Sequence, residues 1–138
     1  MLEGLAKTFD FALWSMENAD KDTIVFDIET KKDFAEVGGR ENLKALGVSV
    51  IGAYSYQNDS FTAFEENEIP DFIRILKNSE LVVGFNIRDF DLPVLQPYVN
   101  DSLGSLPVLD LMDEVISRVG FRISLDNLAQ TTLGISKT

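Results

Sequence analysis

The chain has 138 residues, of which 45% are apolar and 25% charged, a composition typical of one globular domain that buries its own core. It contains neither cysteine nor histidine, so disulfides, thiol nucleophiles, histidine-based triads and the common zinc sites are excluded. The formal net charge of −11 argues against a protein that binds nucleic acid by positive charge alone, although a bound cation would reverse the local field.

The sequence also bears on location. No apolar run reaches the roughly 18–20 residues of a membrane span, and the N-terminus lacks a basic region followed by an apolar stretch. Together with the lack of cysteine, these features predict a soluble, cytoplasmic protein that has no membrane partner.

The first half of the chain is rich in predicted strands. Helical spacing of apolar residues first predicts an amphipathic helix over about residues 1–17. Residues 23–27 form a continuous run of β-forming side chains, which is typical of a strand in the middle of a sheet. The polar segment 31–43 predicts a loop. Residues 47–56 and 60–64 then predict the two strands of a hairpin.

Helices and strands alternate in the second half. The predicted elements are a helix from 69 to about 78, a strand at 81–85, a helix at 91–99 with a proline in its first turn, a strand at 106–109, a helix at 112–119, and a last helix between Ser124 and Gly134. Three consecutive strands followed by this alternation predict an α/β fold with a mixed sheet.

The stretch TIVFDIET, residues 23–30, places two carboxylates at the end of an apolar strand. Asp27 and Glu29 are two residues apart, so in a strand they share one face, roughly 6.5–7 Å apart along the chain. Like charges this close repel each other, and burial would raise their pKa values unless a positive charge lies between them. The pattern therefore makes a divalent metal ion a candidate ligand.

A second stretch, GFNIRDFDLP at residues 84–93, follows a predicted buried strand and opens a helix. Open α/β sheets place their ligands at such strand ends. The segment carries Asn86, Phe90 and Asp91 at a spacing of N-x-x-x-F-D.

The two motifs, D-x-E followed by N-x-x-x-F-D, resemble those of the DEDD family of 3′–5′ exonucleases, and the resemblance covers residues 23–138. It implies a ribonuclease H-like α/β fold, that is, a mixed sheet with helices on both faces, a central first strand and an antiparallel second strand. It also implies hydrolysis of nucleic acid from the 3′ end by two Mg²⁺ or Mn²⁺ ions, with a single-stranded or 3′-ended nucleic acid as partner. Asp27, Glu29 and Asp91 would be the catalytic metal ligands, and Asn86, Phe90 and Thr30 would contact the substrate.

The third motif of that family is missing. It carries a fourth aspartate. In one branch of the family a histidine precedes this aspartate, and in the other a tyrosine lies four residues before it. The chain has no histidine, and no acidic residue after Asp91 follows a tyrosine by four. We therefore expect residues 1–138 to be a single domain that is incomplete at its C-terminus, and expect it to bind metal weakly.

Each motif residue also has a structural interpretation. A lone D-x-E is most often a solvated strand end, Asp91 two residues before Pro93 could be a helix N-cap, and Asn86 could be a turn residue. Asp110 fits best as the residue that starts a helix. The occurrence of both motifs in order, at predicted strand ends, favours the metal site.

Two other function classes are compatible with some of these residues. A glycosidase could use Asp27 and Glu29 as its carboxylate pair, but the chain is short for the barrels that usually carry such pairs. A catalytically inactive ribonuclease H-like domain that binds nucleic acid or serves as a scaffold is the stronger alternative, because the fourth carboxylate is absent. Phe34, in the loop next to the acids, could stack on a base.

Overall fold

The computed structural model describes residues 21–134, so the helix predicted over residues 1–17 lies outside the described residues. Five strands form one sheet: β1 (Thr23–Thr30), β2 (Val48–Ser55), β3 (Ser60–Glu65), β4 (Leu81–Gly84) and β5 (Val108–Asp110). The α-helices are α1 (Ile69–Lys77), α2 (Leu92–Leu95), α3 (Leu111–Val119) and α4 (Leu125–Leu133). No helix within 21–134 is both long enough and apolar enough to cross a membrane.

The sheet has the order β3-β2-β1-β4-β5, which places the first strand at its centre. β2 runs antiparallel to both β1 and β3, whereas β4 is parallel to β1 and β5 is parallel to β4. The prediction of a mixed α/β sheet with a central first strand and an antiparallel second strand is confirmed. The parallel half brings the carboxyl ends of β1, β4 and β5 to the same edge of the sheet.

The core lies where α1 covers the sheet. Side chains of β1 alternate, so that Ile24, Phe26 and Ile28 are buried on one face. Phe72 of α1 packs on this face, with its ring centroid 5.3 Å from that of Phe26 in an edge-to-face contact. Burial of each such side chain contributes about 1.5–3 kcal/mol. This packing fixes β1 in the sheet and with it the two acids on the opposite face.

β1 is longer than predicted. We predicted that the strand ends at Asp27, but it continues to Thr30, so both acids of the first motif lie inside it. The reason is tertiary, because β2 pairs with β1 along its whole length. An irregularity in register between Glu29 and Thr30 marks the point where the strands begin to separate.

The continuous helix predicted over 91–99 is wrong. A π-helical turn at Ile87–Asp91 comes first, α2 follows with only four residues, and a 3₁₀ turn at Gln96–Tyr98 ends the segment. Two prolines, Pro93 and Pro97, lack the N–H groups that a longer regular helix needs.

The C-terminal helices end as predicted, although α3 begins at Leu111, one residue earlier than predicted. Asp110 and Ser124 cap α3 and α4 with their side chains, and Gly120 and Gly134 end them in left-handed conformations at φ 84° and 68°. The strand predicted at 106–109 is shifted to Val108–Asp110. Hence Asp110 both ends a strand and starts a helix.

Candidate metal and nucleic-acid site

Asp27 and Glu29 lie on the same face of β1, as their spacing predicts, and both are exposed. They face away from the side of β1 that carries Ile28 into the core. Their carboxylates are therefore accessible to a ligand at the carboxyl edge of the sheet.

Asp91 is only 2% exposed, and its Oδ2 accepts a hydrogen bond from the backbone N–H of Ile28 at 3.1 Å. The parallel pairing of β1 with β4 ends at Val25 and Val83, three residues before Ile28. The Asp91 carboxylate thus takes the place of a strand partner beside β1. Residue 28 lies between the two acids of the first motif, so this bond joins both motifs.

The interpretation of Asp91 as a helix N-cap is wrong. Its backbone is helical, with φ −61° and ψ −46°, and its side chain makes no cap hydrogen bond to α2. An N-cap residue has a non-helical backbone and bonds to the first turn of its own helix. The Asp91 side chain bonds instead to β1, 63 residues earlier in the chain.

The pKa of Asp91 is raised from 3.8 to about 7. Burial is the main cause, the negative charge of Asp27 is the next, and Asp110 adds to it, while the Ile28 N–H opposes the shift. Without a cation, Asp91 is therefore partly protonated near neutral pH. A divalent cation close to Asp91 and Asp27 would offset the repulsion between their two negative charges. Carboxylate oxygens are ligands that suit Mg²⁺ and Mn²⁺.

Asp110 is 3% exposed and accepts three backbone hydrogen bonds. Its Oδ1 accepts from Asn86 N at 2.7 Å and from Met112 N at 3.0 Å, and its Oδ2 accepts from Arg88 N at 3.0 Å. The prediction that Asp110 starts a helix is confirmed. Its bonds to Asn86 and Arg88 were missed, because the sequence gives no sign of which strand lies beside β5.

Asn86 has a left-handed backbone, with φ 62°, as its interpretation as a turn residue implies. Its side-chain Oδ1 accepts a hydrogen bond from Arg122 Nη2 at 2.6 Å. Arg122 also lies 3.7 Å from the exposed carboxylate of Asp89. The connection between α3 and α4 therefore reaches the second motif, which no feature of the sequence indicated.

Thr30 and Phe90 both make contacts within the chain. The Thr30 hydroxyl donates to the carbonyl of Lys32 at 2.8 Å. The Phe90 ring is half-buried and lies edge-to-face against Phe34, with centroids 6.1 Å apart. The guanidinium of Arg40 lies 5.1 Å from the Phe34 ring centroid. Two aromatic rings and a cation thus lie together at the second motif, although their contact with a base stays a prediction.

Among residues 21–134, no three acidic side chains are grouped closely enough to form a ready metal site. The negative charge of Asp27 contributes to the raised pKa of Asp91, so an acid of the first motif interacts with an acid of the second. The convergence of Glu29 on the same point stays a prediction. Two later acids have partners already, since Asp110 accepts three N–H groups and Asp113 lies 3.2 Å from Arg88.

Comparison with known proteins agrees with this architecture. A family model described as the RNase_H superfamily matches residues 24–138. The chain belongs to the RNase_H superfamily. Members of this superfamily are commonly nucleases, and they usually use divalent metal ions. No curated protein matches the chain.

Among solved structures, the chain is similar to a family B DNA polymerase from the hyperthermophilic archaeon Pyrobaculum calidifontis. The TM-score is 0.61 at 19% sequence identity, and the match covers 84% of this chain. It covers 19% of the polymerase, so the chain spans about a fifth of that protein's length. A likeness at this level of identity supports the fold alone.

Proposed function

We propose that this ribonuclease H-like chain is a metal-dependent 3′–5′ exonuclease domain that hydrolyses phosphodiester bonds from the 3′ end of a nucleic acid. Asp27, Glu29 and Asp91 would hold Mg²⁺ or Mn²⁺, two ions in a complete site. The observation that carries the proposal is the hydrogen bond from Ile28 N to Asp91, because it fixes the acid of the second motif beside the residue between Asp27 and Glu29.

Asp91 suits the role of a metal ligand that exchanges a proton for a cation. Its pKa of about 7 means that ion binding at neutral pH would displace a proton and then hold the carboxylate in its charged form. Bound divalent ions supply the charge that activates a water molecule and stabilises the leaving 3′ oxygen. Asp27 and Glu29, both exposed, would complete the ligand set from the solvent side.

The neighbouring side chains would place the strand. Phe90 and Phe34 offer apolar faces for the terminal bases, because base–aromatic stacking tolerates any sequence. Asn86 would donate from its amide nitrogen while Arg122 holds its oxygen. Thr30 would accept through its hydroxyl oxygen, whose hydrogen is already donated to Lys32. We propose a single-stranded or frayed 3′ end as substrate, with cleavage in the cytoplasm.

A labelled-strand assay tests the proposal. The protein is incubated with 5′-labelled single-stranded DNA or RNA in Mn²⁺, Mg²⁺ or EDTA, and the products are separated by length. A ladder shortening one nucleotide at a time from a free 3′ hydroxyl is expected with metal only. A strand with a blocked 3′ end should be degraded more slowly.

Two single substitutions give a matched comparison. Asp91→Asn keeps an oxygen that can accept from Ile28 N but removes the charge, so we expect a folded protein with more than about a hundredfold loss of turnover, beyond the 10–100-fold typical of residues behind the ligands. Asp89→Asn removes an exposed acid two residues away and should change turnover little. Equal loss in both variants, or internal cleavage of blocked strands, would contradict the proposal.

The inactive ribonuclease H-like domain is the second candidate. It is favoured by the lack of a ready three-acid group among the described residues and by the engagement of Asp110 and Asp113. In that case the labelled strand would be bound without release of mononucleotides, and Asp91→Asn would leave binding unchanged. The same assay, followed by a gel-shift measurement, separates the two candidates.

A further inference from the structure

We propose that Asp110 is a positioning residue that holds the turn after β4 in the conformation that delivers Asp91 to β1. The inference rests on the proposed function only in that Asp91 is the residue positioned. Nothing in either sequence motif includes Asp110, which lies 19 residues after Asp91. The structural part of the proposal can be tested without metal or substrate.

The register of the sheet puts Asp110 at the right place. Asp110 pairs with Gly84, so its side chain lies level with the end of β4, where the turn begins. From there its carboxylate reaches two N–H groups at the start of the turn, Asn86 N at 2.7 Å and Arg88 N at 3.0 Å. The first N–H groups of any helical segment lack partners within it. Asp110 therefore caps the π-helical turn from a neighbouring strand.

The same carboxylate also caps α3, by accepting from Met112 N at 3.0 Å. One buried side chain thus ties together the end of β5, the start of α3 and the turn that contains the second motif. A carboxylate is needed, because it has two acceptor oxygens and no donor. The amide of an asparagine would present N–H₂ to at least one of the three N–H groups.

The turn needs such a tie because its backbone is tightly constrained. Asn86 is left-handed, and a Cβ added to Gly84 would lie 2.3 Å from Ile87 Cγ2. The side chain of Ile87 is fully buried directly after the left-handed residue. Arg88 adds a weaker, exposed tie to Asp113 at 3.2 Å.

Asp91 depends on this turn for its direction. It is the last residue of the π-helical turn, and Ile87 is the first. Successive side chains on an α-helix differ by about 100° in direction, so relaxation of the π turn to an α turn would rotate Asp91 away from β1. The bond to Ile28 N, at 3.1 Å, is the contact that would be lost.

Asp110 is therefore placed behind the site and is not itself a metal ligand. Three N–H groups occupy its two oxygens, and the side chain is 3% exposed. These bonds use three of the roughly four lone-pair sites of the carboxylate, so Asp110 is committed to the turn and to α3.

The test follows the backbone amide of Ile28 by NMR in the metal-free protein, through its chemical shift and hydrogen exchange. Asp91→Ala shows the signal of Ile28 without its acceptor. Asp110→Ser keeps a good cap for α3 but cannot reach Asn86 and Arg88. Ser102→Ala is the control, because it removes a cap from the remote 3₁₀ turn at Leu103–Ser105. Asp110→Asn, which keeps the volume, serves if Asp110→Ser does not fold.

We expect the Ile28 amide in Asp110→Ser to move most of the way to its position in Asp91→Ala and to exchange at least about tenfold faster, which is ~1.4 kcal/mol. Met112 should stay protected in that variant, and Ser102→Ala should leave Ile28 unchanged. An unchanged Ile28 amide in the Asp110 variants, with or without loss of protection at Asn86 and Arg88, would overturn the proposal.

A second measurement separates this inference from the proposed function. Free Mn²⁺ is titrated by electron paramagnetic resonance, and we expect Asp110→Ser to bind at least about tenfold more weakly than wild type, within the 10–100-fold typical of supporting residues. If wild type binds no Mn²⁺, the proposed function fails, while the Ile28 amide still decides the role of Asp110. If wild type binds and Asp110→Ser binds equally, Asp110 does not position the metal ligand.

Discussion

Asp110 ends β5 and Asp91 follows the neighbouring parallel strand β4, and both are almost fully buried, at 3% and 2% exposure. Their surroundings differ. Asp110 accepts three backbone N–H groups from two segments beyond its strand. Asp91 accepts one from a distant segment, that of Ile28, and lies near the charge of Asp27.

The comparison shows that burial alone does not mark a functional acid. Several N–H donors can stabilise a buried carboxylate within the protein, and it then acts as a structural tie. A buried carboxylate close to another acid has a raised pKa and is stabilised by a proton or by a cation. Asp91 is such a carboxylate, which is the reason why we propose that it binds the metal.

The largest expected effect is on stability. Asp110→Ala leaves two N–H groups of the turn without an acceptor, at about 1–3 kcal/mol each, and removes a helix cap worth about 1 kcal/mol. We expect a loss of about 3–5 kcal/mol in the free energy of unfolding at pH 8, measured with urea. Asp91→Ala should lose much less, since it removes one bond and a poorly stabilised charge. Equal losses would mean that the two acids do not differ as described.

The second effect is a pH dependence that belongs to Asp91. Its pKa is raised from 3.8 in the unfolded chain to about 7 in the folded protein, so between these values the native state holds a proton that the unfolded state has released. The contribution of Asp91 to stability should therefore be greatest below pH 4, fall as pH rises to about 7, and stay level above. The full loss is at most about 4 kcal/mol.

Asp91→Asn should remove this fall, so the variant should match wild type at pH 4 and exceed it at pH 8. Asp101→Asn is the control, because Lys77 lowers the pKa of Asp101 and its contribution is lost only as pH falls through the acidic range. Urea unfolding at pH 4, 6 and 8 measures both. The same slope in wild type and Asp91→Asn would show that another group titrates.

The third effect is stabilisation by metal. At a Mn²⁺ concentration of 100 times Kd, a single site raises the free energy of unfolding by about 2.7 kcal/mol. Thermal melts should show this gain in wild type and in Asp89→Asn, but not in Asp91→Asn. A wild type whose melting temperature does not change with Mn²⁺ or Mg²⁺ would count against the metal site itself.

Several features of the fold and of the candidate site could be predicted from the sequence. The alternation that places Asp27 and Glu29 on one face of β1 and the C-terminal ends of α3 and α4 follow from local patterns and were predicted correctly. These features depend on short-range periodicity and capping, which the sequence carries directly.

What the sequence could not supply depends on contacts between distant segments. Asp91 bonds to a residue 63 positions away, and Arg122 bonds to Asn86 across 36 positions. The π-helical turn at Ile87–Asp91, which precedes the predicted helix, was not predicted, and the N–H groups of Asn86 and Arg88 at its start bond to Asp110 at the end of β5. No local pattern shows which strand will lie next to which.

The smallest expected effect isolates the charge of Asp27. Asp27→Asn should lower the pKa of Asp91, since Asp27 is the second cause of its rise after burial. Because Asp27 is exposed and screened by solvent, we expect the metal-free protein to gain only a few tenths to about 1 kcal/mol at pH 8. Glu29→Gln is the matched variant, since Glu29 is not among the causes of the shift, and it should gain less. Carbon-13 NMR of the Asp91 carboxyl gives the pKa in each variant. If Glu29→Gln lowers it as much as Asp27→Asn does, then all three acids share one electrostatic site in solution, and the pairing of Asp27 with Asp91 is not specific.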